Sequence, residues 1–551
     1  MDSTVALKPK KPPACNPCKA RRVLCHPQPN GAPCPRCVER RVVYAVSTTL
    51  LAMKLTLIRC TTTPVPRGRP RKNFPHQPTL LSLQVTGLDL HPVPCFESSE
   101  KCPDLSPEFV AHCFEELRMD ARYAHPTIAA TSIRSDMCAV AFNINLLPPQ
   151  SRVLALCMVA YASLWSYHES VLGSGPQPES MLDQTFFSSR QELLKCGVRR
   201  APVYRALRAE AFKAAWEIGA ILMPSNENAA TCYLLDLMDQ TSFGSAGRPW
   251  ATAHFAHLRT LVPNWWLSDS MLSTGGFPRW TGALLVDCII SARRRTPLVI
   301  TRQDQLLLCG KEPPSLENLI SSLENSINST DSSTFRWASL RPYLYHMTSL
   351  ARQLHDTLTG EYAHTGPLSE AAILTFINTL SKLHAALSLL LDRLEHTPNV
   401  PGGAIYTLSL GFAGLALPFY QEVLYRESAC NNISQNARLQ ALREQAHDMA
   451  VLGGRALAHG IRMLPQPHCL PYHWTAVRDW AEFLLGEADG SGNGNRPLAR
   501  EATRDLETFA RELKHLGYSL DAASTPEATA LIERLEKHVD RALISLFAPS
   551  N

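Results

Sequence analysis

Six cysteines near one end of the chain are spaced for metal chemistry: Cys15 and Cys18, then Cys25, then Cys34 and Cys37, with Cys60 arriving late. Two C-x-x-C pairs flank a lone cysteine, and Lys19, Arg21, Arg22, Arg36, Arg40 and Arg41 are interleaved with them. Thiolates are anionic ligands, and zinc takes four in a tetrahedron. Six can serve two zinc ions if two sulfurs bridge. Cations packed beside such a frame point to nucleic acid. A disulfide framework is the rival reading. Nothing at the N-terminus resembles a secretory leader, and the other eleven of the 17 cysteines are scattered, which suits reduced thiols.

The segment from Ala14 to Cys25, followed by Pro33-Cys-Pro-Arg-Cys37, resembles the fungal binuclear zinc-cluster (Zn2Cys6) transcription factors. The loop between its halves, His26 to Pro33, carries the turn pair Asn30-Gly31. The resemblance implies two zinc ions, with Cys15 and Cys34 bridging and Cys18, Cys25, Cys37 and Cys60 terminal. It also implies double-stranded DNA and the transcription machinery as partners, RNA polymerase II promoters as targets, a nuclear location and no enzymatic activity. Lys19 and Arg22 stand where the family usually carries basic residues, with Arg21 between them. A first helix would bring these to the major groove, where a cation can read guanine O6 and N7. Arg36, Arg40 and Arg41 suit phosphate contacts, which position without specifying.

The last spacing departs from the family pattern. Roughly six residues are expected between the fifth and sixth cysteines, whereas Val38 to Arg59 intervene here. The insert holds an apolar run, Val42 to Ile58, that contains Lys54 and falls short of the ~20 residues a membrane span needs. One reading is a retained intron. The codons of Val43-Tyr44-Ala45 can spell a fungal donor site, those of Leu55-Thr56 a branch site, and those of Ile58-Arg59 an acceptor. Removing Tyr44 to Arg59 preserves the frame and leaves Cys37-Val-Glu-Arg-Arg-Val-Val-Cys60, the family spacing. If the insert is translated, the longer loop costs roughly 1 kcal/mol in closure entropy. Zinc held by thiolates contributes on the order of 10 kcal/mol or more, so entropy alone does not forbid the cluster.

Charge is segregated along the chain. Residues 1–75 hold fifteen Lys/Arg against Asp2 and Glu39, a net of +13; the whole chain carries +5, so residues 76–551 sum to −8. A basic arm on a polyanion and an acidic body apart from it fit this asymmetry. After Cys60, Arg67-Gly-Arg-Pro-Arg71 resembles an AT-hook core. Arg67, Arg69 and Arg71 could enter a narrow A·T minor groove, contact phosphates or serve nuclear import. Residues 73–104 are proline-rich without sustained heptads. Many family members form a homodimer through a coiled coil at this place, and the absence of heptads here argues against that symmetric arrangement.

From about Ser106 the pattern is helical, and the fold class expected is all-α: a small two-zinc module, a flexible linker and a large helical domain. The expected boundaries are 1–63 for the cluster, interrupted by 44–59, and 64–105 for the linker. The helical regulatory domain is expected over 106–485, a Gly/Asn-rich loop over 486–496 and C-terminal helices over 497–551. Ser225, Ser369 and Thr525 are placed to cap helices, and Pro202 to open one in its first turn. Two heptad-like stripes, one from Ile373 through Phe376 and Leu380 to Leu394, the other from Leu531 through Leu535 and Ala542 to Leu546, read as core faces rather than dimer seams. The uncharged run Ala404 to Tyr420, with Gly411, Gly414 and Pro418, reads as a buried, broken helix too short to span a membrane.

The body also resembles the helical middle region found behind fungal zinc clusters. Leu147-Pro-Pro-Gln-Ser-Arg-Val-Leu154, Glu227-Asn-Ala-Ala230 and Arg248-Pro-Trp-Ala-Thr-Ala-His-Phe255 carry that likeness. Catalytic patterns are thin: there is no Gly-rich phosphate loop, no G-x-S-x-G and no H-E-x-x-H. His254, His257 and Asp269 could be imagined as a metal site, but the expectation is ordinary polar or core histidines. Trp250, Trp265, Trp266 and Trp280 are expected to fill core. The rival to a DNA-binding regulator is a helical interaction or ligand-sensing protein whose cluster is broken.

Overall fold

The computed structural model describes residues 102–118, 125–241, 247–267, 276–325, 332–366, 368–395, 402–428, 433–465, 468, 470, 473–490 and 500–547. The chain divides between Pro92 and Val93 into two units, and every described residue lies in the second. Among the described residues 80% are in helix and none in a strand.

The helices of eight residues or more, in chain order, begin with α1 (Pro107–Leu117), α2 (Pro149–Ala162), α3 (Arg190–Glu217), α4 (Asn226–Gln240) and α5 (Pro249–Leu267). Next come α6 (Gly276–Arg294), α7 (Arg302–Cys309), α8 (Leu316–Asn325) and α9 (Ser332–Leu354). The chain then runs through α10 (Glu370–Glu395), α11 (Gly402–Ser428) and α12 (Ile433–Arg462) to α13 (Trp474–Gly490), α14 (Arg500–Leu516) and α15 (Pro526–Phe547). Capping residues start several of them. Ser106, Ser225, Ser369 and Thr525 each accept a hydrogen bond from the backbone N–H three residues on, which satisfies one of the donors a helix start leaves free.

Helix α2 is central: every residue from Val153 to Ala162 is buried, so beyond its first turn it has no solvent face. It packs against α1, α3 and α4, and α4 in turn against α5. A second group forms where α6 lies on α9 and α11, and where α10 closes on α8 and α9. Helices α11 and α12 make the most extensive pairing, and α14 joins them to α3, α13 and α15. One continuous core runs through these groups, from Phe109 to Val539.

Both predicted stripes are core as far as burial is described, which leaves out Leu546. Ile373, Phe376, Leu380, Leu383, Leu387, Leu390 and Leu394 are buried on α10, and Leu531, Leu535, Val539 and Ala542 on α15. Each such leucine contributes about 1.5–3 kcal/mol on leaving water. Other expectations need correction. Pro202 lies inside α3, which begins at Arg190, so it does not open a helix, although Leu207, Ala211 and Ala215 beyond it are buried as a stripe. The run Ala404 to Tyr420 is buried but unbroken: α11 passes through Pro418 as one helix of 27 residues. By length and composition α10 and α11 could each cross a membrane, so shortness excludes nothing. Burial of α11 among its neighbours explains its apolar composition. Its Gly414 sits against α6, where a Cβ would come within 2.7 Å of Ile289 Cγ1. The loop expected from Gly486 is helical as far as Gly490, and the C-terminal helices share the one core through Leu506, Phe509 and Leu535.

Candidate functional site

The metal-ligating candidates Cys15, Cys18, Cys25, Cys34, Cys37 and Cys60 lie outside the described residues. So do the DNA-binding candidates Lys19, Arg21, Arg22, Arg36, Arg40, Arg41, Arg67, Arg69 and Arg71. In the helical body, the three stretches that carry the likeness to a fungal middle region fall on neighbouring helices, the start of α2, the start of α4 and the start of α5.

Arg248, in the third of these stretches, joins α4 and the start of α5 to α6. It precedes α5, is 7% exposed, and takes a positive φ of 23°, strained for a residue with a side chain. Its Nη2 donates to Asp236 Oδ2 of α4 at 2.8 Å and its Nη1 to Asp287 Oδ1 of α6. Asp287 also accepts from the Ile300 backbone N–H at 3.1 Å. Burial works against the arginine's charge, but the two carboxylates outweigh it and raise its pKa above the ordinary value. Three helices are thereby tied by one cation between two anions.

The histidines beside it each meet a backbone carbonyl. His254 Nδ1 meets the Ala229 carbonyl at 2.9 Å and His257 Nε2 the Ala220 carbonyl at 2.8 Å, two separate backbone contacts. Asp269 lies outside the described residues. Among the described residues no group of three or more His, Cys, Asp or Glu is arranged to hold a metal. Burial holds His254 down to about 4, despite the Ala229 carbonyl and Asp236. His125 stacks on Tyr233 at 4.0 Å and meets Trp280 edge-on at 5.1 Å. Trp250 and Trp280 are buried as expected, Trp265 is half-buried and stacks on Trp280 at 6.2 Å, and the side chain of Trp266 lies outside what is described.

A second polar feature had no sequence signal. A small cleft enclosing about 30 Å³ is bounded by the last turns of α6, by Gln240 of α4, Leu410 of α11 and the start of α13. Arg293 projects into it and donates to Thr475 Oγ1. Among the described residues no carboxylate comes within ion-pair distance of Arg293, since nearby Asp479 is bound by Arg478 at 3.0 Å. Burial lowers the Arg293 pKa; Asp479 opposes that shift, and the positive charges of Arg294 and Arg478 add to it. The residues that meet here are 182 apart in the chain, too far for any spacing to reveal.

No protein-family model matches this chain, no curated protein is detectably similar to it, and no solved structure matches its fold. The described part is established as an all-helical body.

Proposed function

We propose that this chain is a zinc-dependent, sequence-specific DNA-binding transcription regulator acting in the nucleus. The observation that carries the reading is the cysteine frame, Cys15-x2-Cys18-x6-Cys25-x8-Cys34-x2-Cys37 with Cys60, threaded with Lys19, Arg21 and Arg22. The donor set is right for two zinc ions: thiolates only, in the number that two tetrahedra sharing two corners require. Cys15 and Cys34 would bridge, and Cys18, Cys25, Cys37 and Cys60 would complete the two shells. Lys19, Arg21 and Arg22 would read base edges, Arg36, Arg40 and Arg41 would hold phosphates, and Arg67, Arg69 and Arg71 would extend the contact along the duplex. Segregation of +13 into residues 1–75 and −8 into the remainder supports a DNA-bound arm and a body held off the polyanion.

Metal analysis of the full chain, translated with and without Tyr44–Arg59, tests the reading. Two zinc ions per chain are expected, and both should leave when Cys15 or Cys34 is replaced by serine. Loss of one ion only in both variants refutes the bridging assignment. Duplex binding should weaken steeply with salt, by a log–log slope of about 0.9 per phosphate contact. Arg22→Ala should relax base preference, while Arg40→Ala should weaken all sequences alike. The 22-residue interval before Cys60 favours a second reading, an interaction protein with a broken cluster. A chain that retains the insert, binds no zinc and ignores DNA would establish that alternative.

A further inference from the structure

We propose that the end of α3 and the turn into α4 form a docking surface for a basic amphipathic helix of a partner protein, with Trp216, Leu222 and Met223 as its apolar contacts. The surface goes beyond the DNA reading and stands without it.

Three large apolar side chains face water in one short stretch: Trp216 is 50% exposed, Leu222 74% and Met223 63%. Single exposed apolar residues are ordinary, whereas a cluster marks a place of contact. The backbone holds this cluster out. Helix α3 ends in a Schellman motif, with Gly219 at a φ of 65°, its N–H donating to the Trp216 carbonyl at 3.0 Å, and the Ala220 N–H donating to the Ala215 carbonyl at 3.0 Å. The Leu222 N–H then donates to the Gly219 carbonyl at 2.8 Å. Side chains of the next two helices grip the same turn. His257 of α5 meets the Ala220 carbonyl at 2.8 Å, and Asn228 Nδ2 of α4 donates to the Met223 carbonyl at 2.8 Å. A turn pinned in this way displays Leu222 and Met223 on a fixed frame, so a partner has little backbone left to order.

Charge selects the partner. Residues 210–227 carry Glu210, Glu217 and Glu227 against one cation, Lys213. Among the described residues none of these four is in an ion pair. Glu227 stands in the first turn of α4, where the helix dipole favours an acid, and that accounts for it. Glu217 has no such account. It closes the last turn of α3, where the dipole disfavours an anion, and it is exposed beside Trp216. Glu210 lies two turns earlier on the same exposed face. An apolar patch flanked by carboxylates complements a helix with apolar residues down one face and Lys or Arg beside them. The thioether of Met223 adapts to whatever apolar side chain it meets. Anionic lipid and nucleic acid would be repelled by the same carboxylates. A second copy of the chain, meeting this face with its own, would set like charges together.

Fluorescence anisotropy of a labelled peptide, titrated with the full chain at physiological salt, decides the matter. The probe is a helix of about 18 residues with leucines on one face and lysines on the other. One comparator keeps the leucines and replaces every lysine by glutamine; a second keeps the composition and scatters the leucines round the helix. One-to-one saturation by the probe is expected, at least tenfold tighter than either comparator. Leu222→Ser combined with Met223→Ser should weaken the probe at least tenfold, and Glu217→Lys at least threefold. The proposal is overturned if the probe does not saturate by roughly 100 μM. Equal binding of either comparator, or unchanged affinity in the folded double variant or in Glu217→Lys, would overturn it as well. Self-association that the double variant abolishes, with no binding of the probe, would overturn it in favour of a second copy on this face. The comparators are read on the unaltered chain, so they decide even if a variant does not fold.

Discussion

Two buried arginines hold this body together in different ways, one at the α2–α3–α14 junction and one at the α4–α5–α6 junction. Arg200 of α3 is 0% exposed and bonds backbone carbonyls: Ser163 and Ser166 beyond the end of α2, at 2.9 Å for Ser166, and Tyr518 past the end of α14 at 3.1 Å. Its guanidinium also lies over the Tyr518 ring, 4.5 Å from the centroid. Arg248 instead meets two carboxylates, Asp236 and Asp287. A cation can thus be buried against fixed dipoles or against opposite charges. Among the described residues the first arrangement has no carboxylate partner, whereas the second depends on groups that can themselves take up protons.

The sharpest way to break the Arg200 junction is to separate the backbones it joins. A Cβ on Gly197, one turn before Arg200, would sit 2.1 Å from the Gly517 carbonyl oxygen and 2.7 Å from that of Leu520. Backbone cannot step aside as a side chain can. Gly197→Ala should cost more than about 4 kcal/mol in urea unfolding, or abolish folding. A loss under about 1 kcal/mol would show that α3 and the 517–520 segment are not so close.

Arg248→Leu and Arg200→Leu set the two modes side by side. The first leaves Asp236 and Asp287 buried with no cation between them, and should cost about 3–5 kcal/mol at neutral pH. The second leaves carbonyls without a donor, about 1–3 kcal/mol. Their pH responses should differ. Carboxylates orphaned in the fold bind protons more readily there than in the unfolded chain, so the Arg248→Leu deficit should shrink as pH falls. The Arg200→Leu deficit should stay level. Parallel pH profiles would erase the distinction.

A smaller effect comes from His254, beside the Arg248 junction and near His257 and Asp236. Burial holds it down to about 4 in the fold, against 6.5 when exposed. Between those values the unfolded chain binds the proton and the folded chain does not. Stability is therefore full above pH 6.5, is lost as pH falls toward 4, and levels off below that. His254→Asn keeps a donor for the Ala229 carbonyl and removes the titration. Its stability should fall less between pH 6.5 and 4.5, by about 2 kcal/mol. Identical slopes in the two proteins would exclude His254 as a contributor.

Much of the scaffold behind these junctions was legible in the order of residues, because it rests on local rules. A serine or threonine can reach only the N–H groups just ahead of it, so Ser225, Ser369 and Thr525 mark helix starts whatever surrounds them. The stripe from Ile373 to Leu394 was legible because α10 is solvated along one side. Pro202 misled because a proline is tolerated mid-helix when neighbouring packing, here through Leu207 and Ala211, outweighs its missing donor. The junctions were not legible. Arg248 stood out in its sequence context, but nothing there names Asp287, 39 residues away, as its partner. Arg293 and Thr475 meet across 182 residues, a relation fixed by how α6 and α13 approach and written in no motif. In the cysteine segment the situation is reversed: ligand chemistry constrains spacing so tightly that a function can be proposed where no fold is described.

The Arg200 junction also has a consequence in time. The carbonyl of Tyr518 that accepts from the guanidinium's Nε is encoded 318 residues after the arginine itself. At about 5–20 residues per second, a ribosome needs roughly a quarter of a minute to a minute to bridge that interval. Throughout it, α2 and α3 can approach one another with one side of the buried cation still facing water. The body therefore closes only after the segment following α14 has been made, and nascent chains wait in a half-sealed state that chaperones and proteases can inspect. A message cut short anywhere between α3 and Tyr518 yields a product that lacks the closing piece, and such fragments should be cleared from the cell rather than accumulate as folded partial proteins.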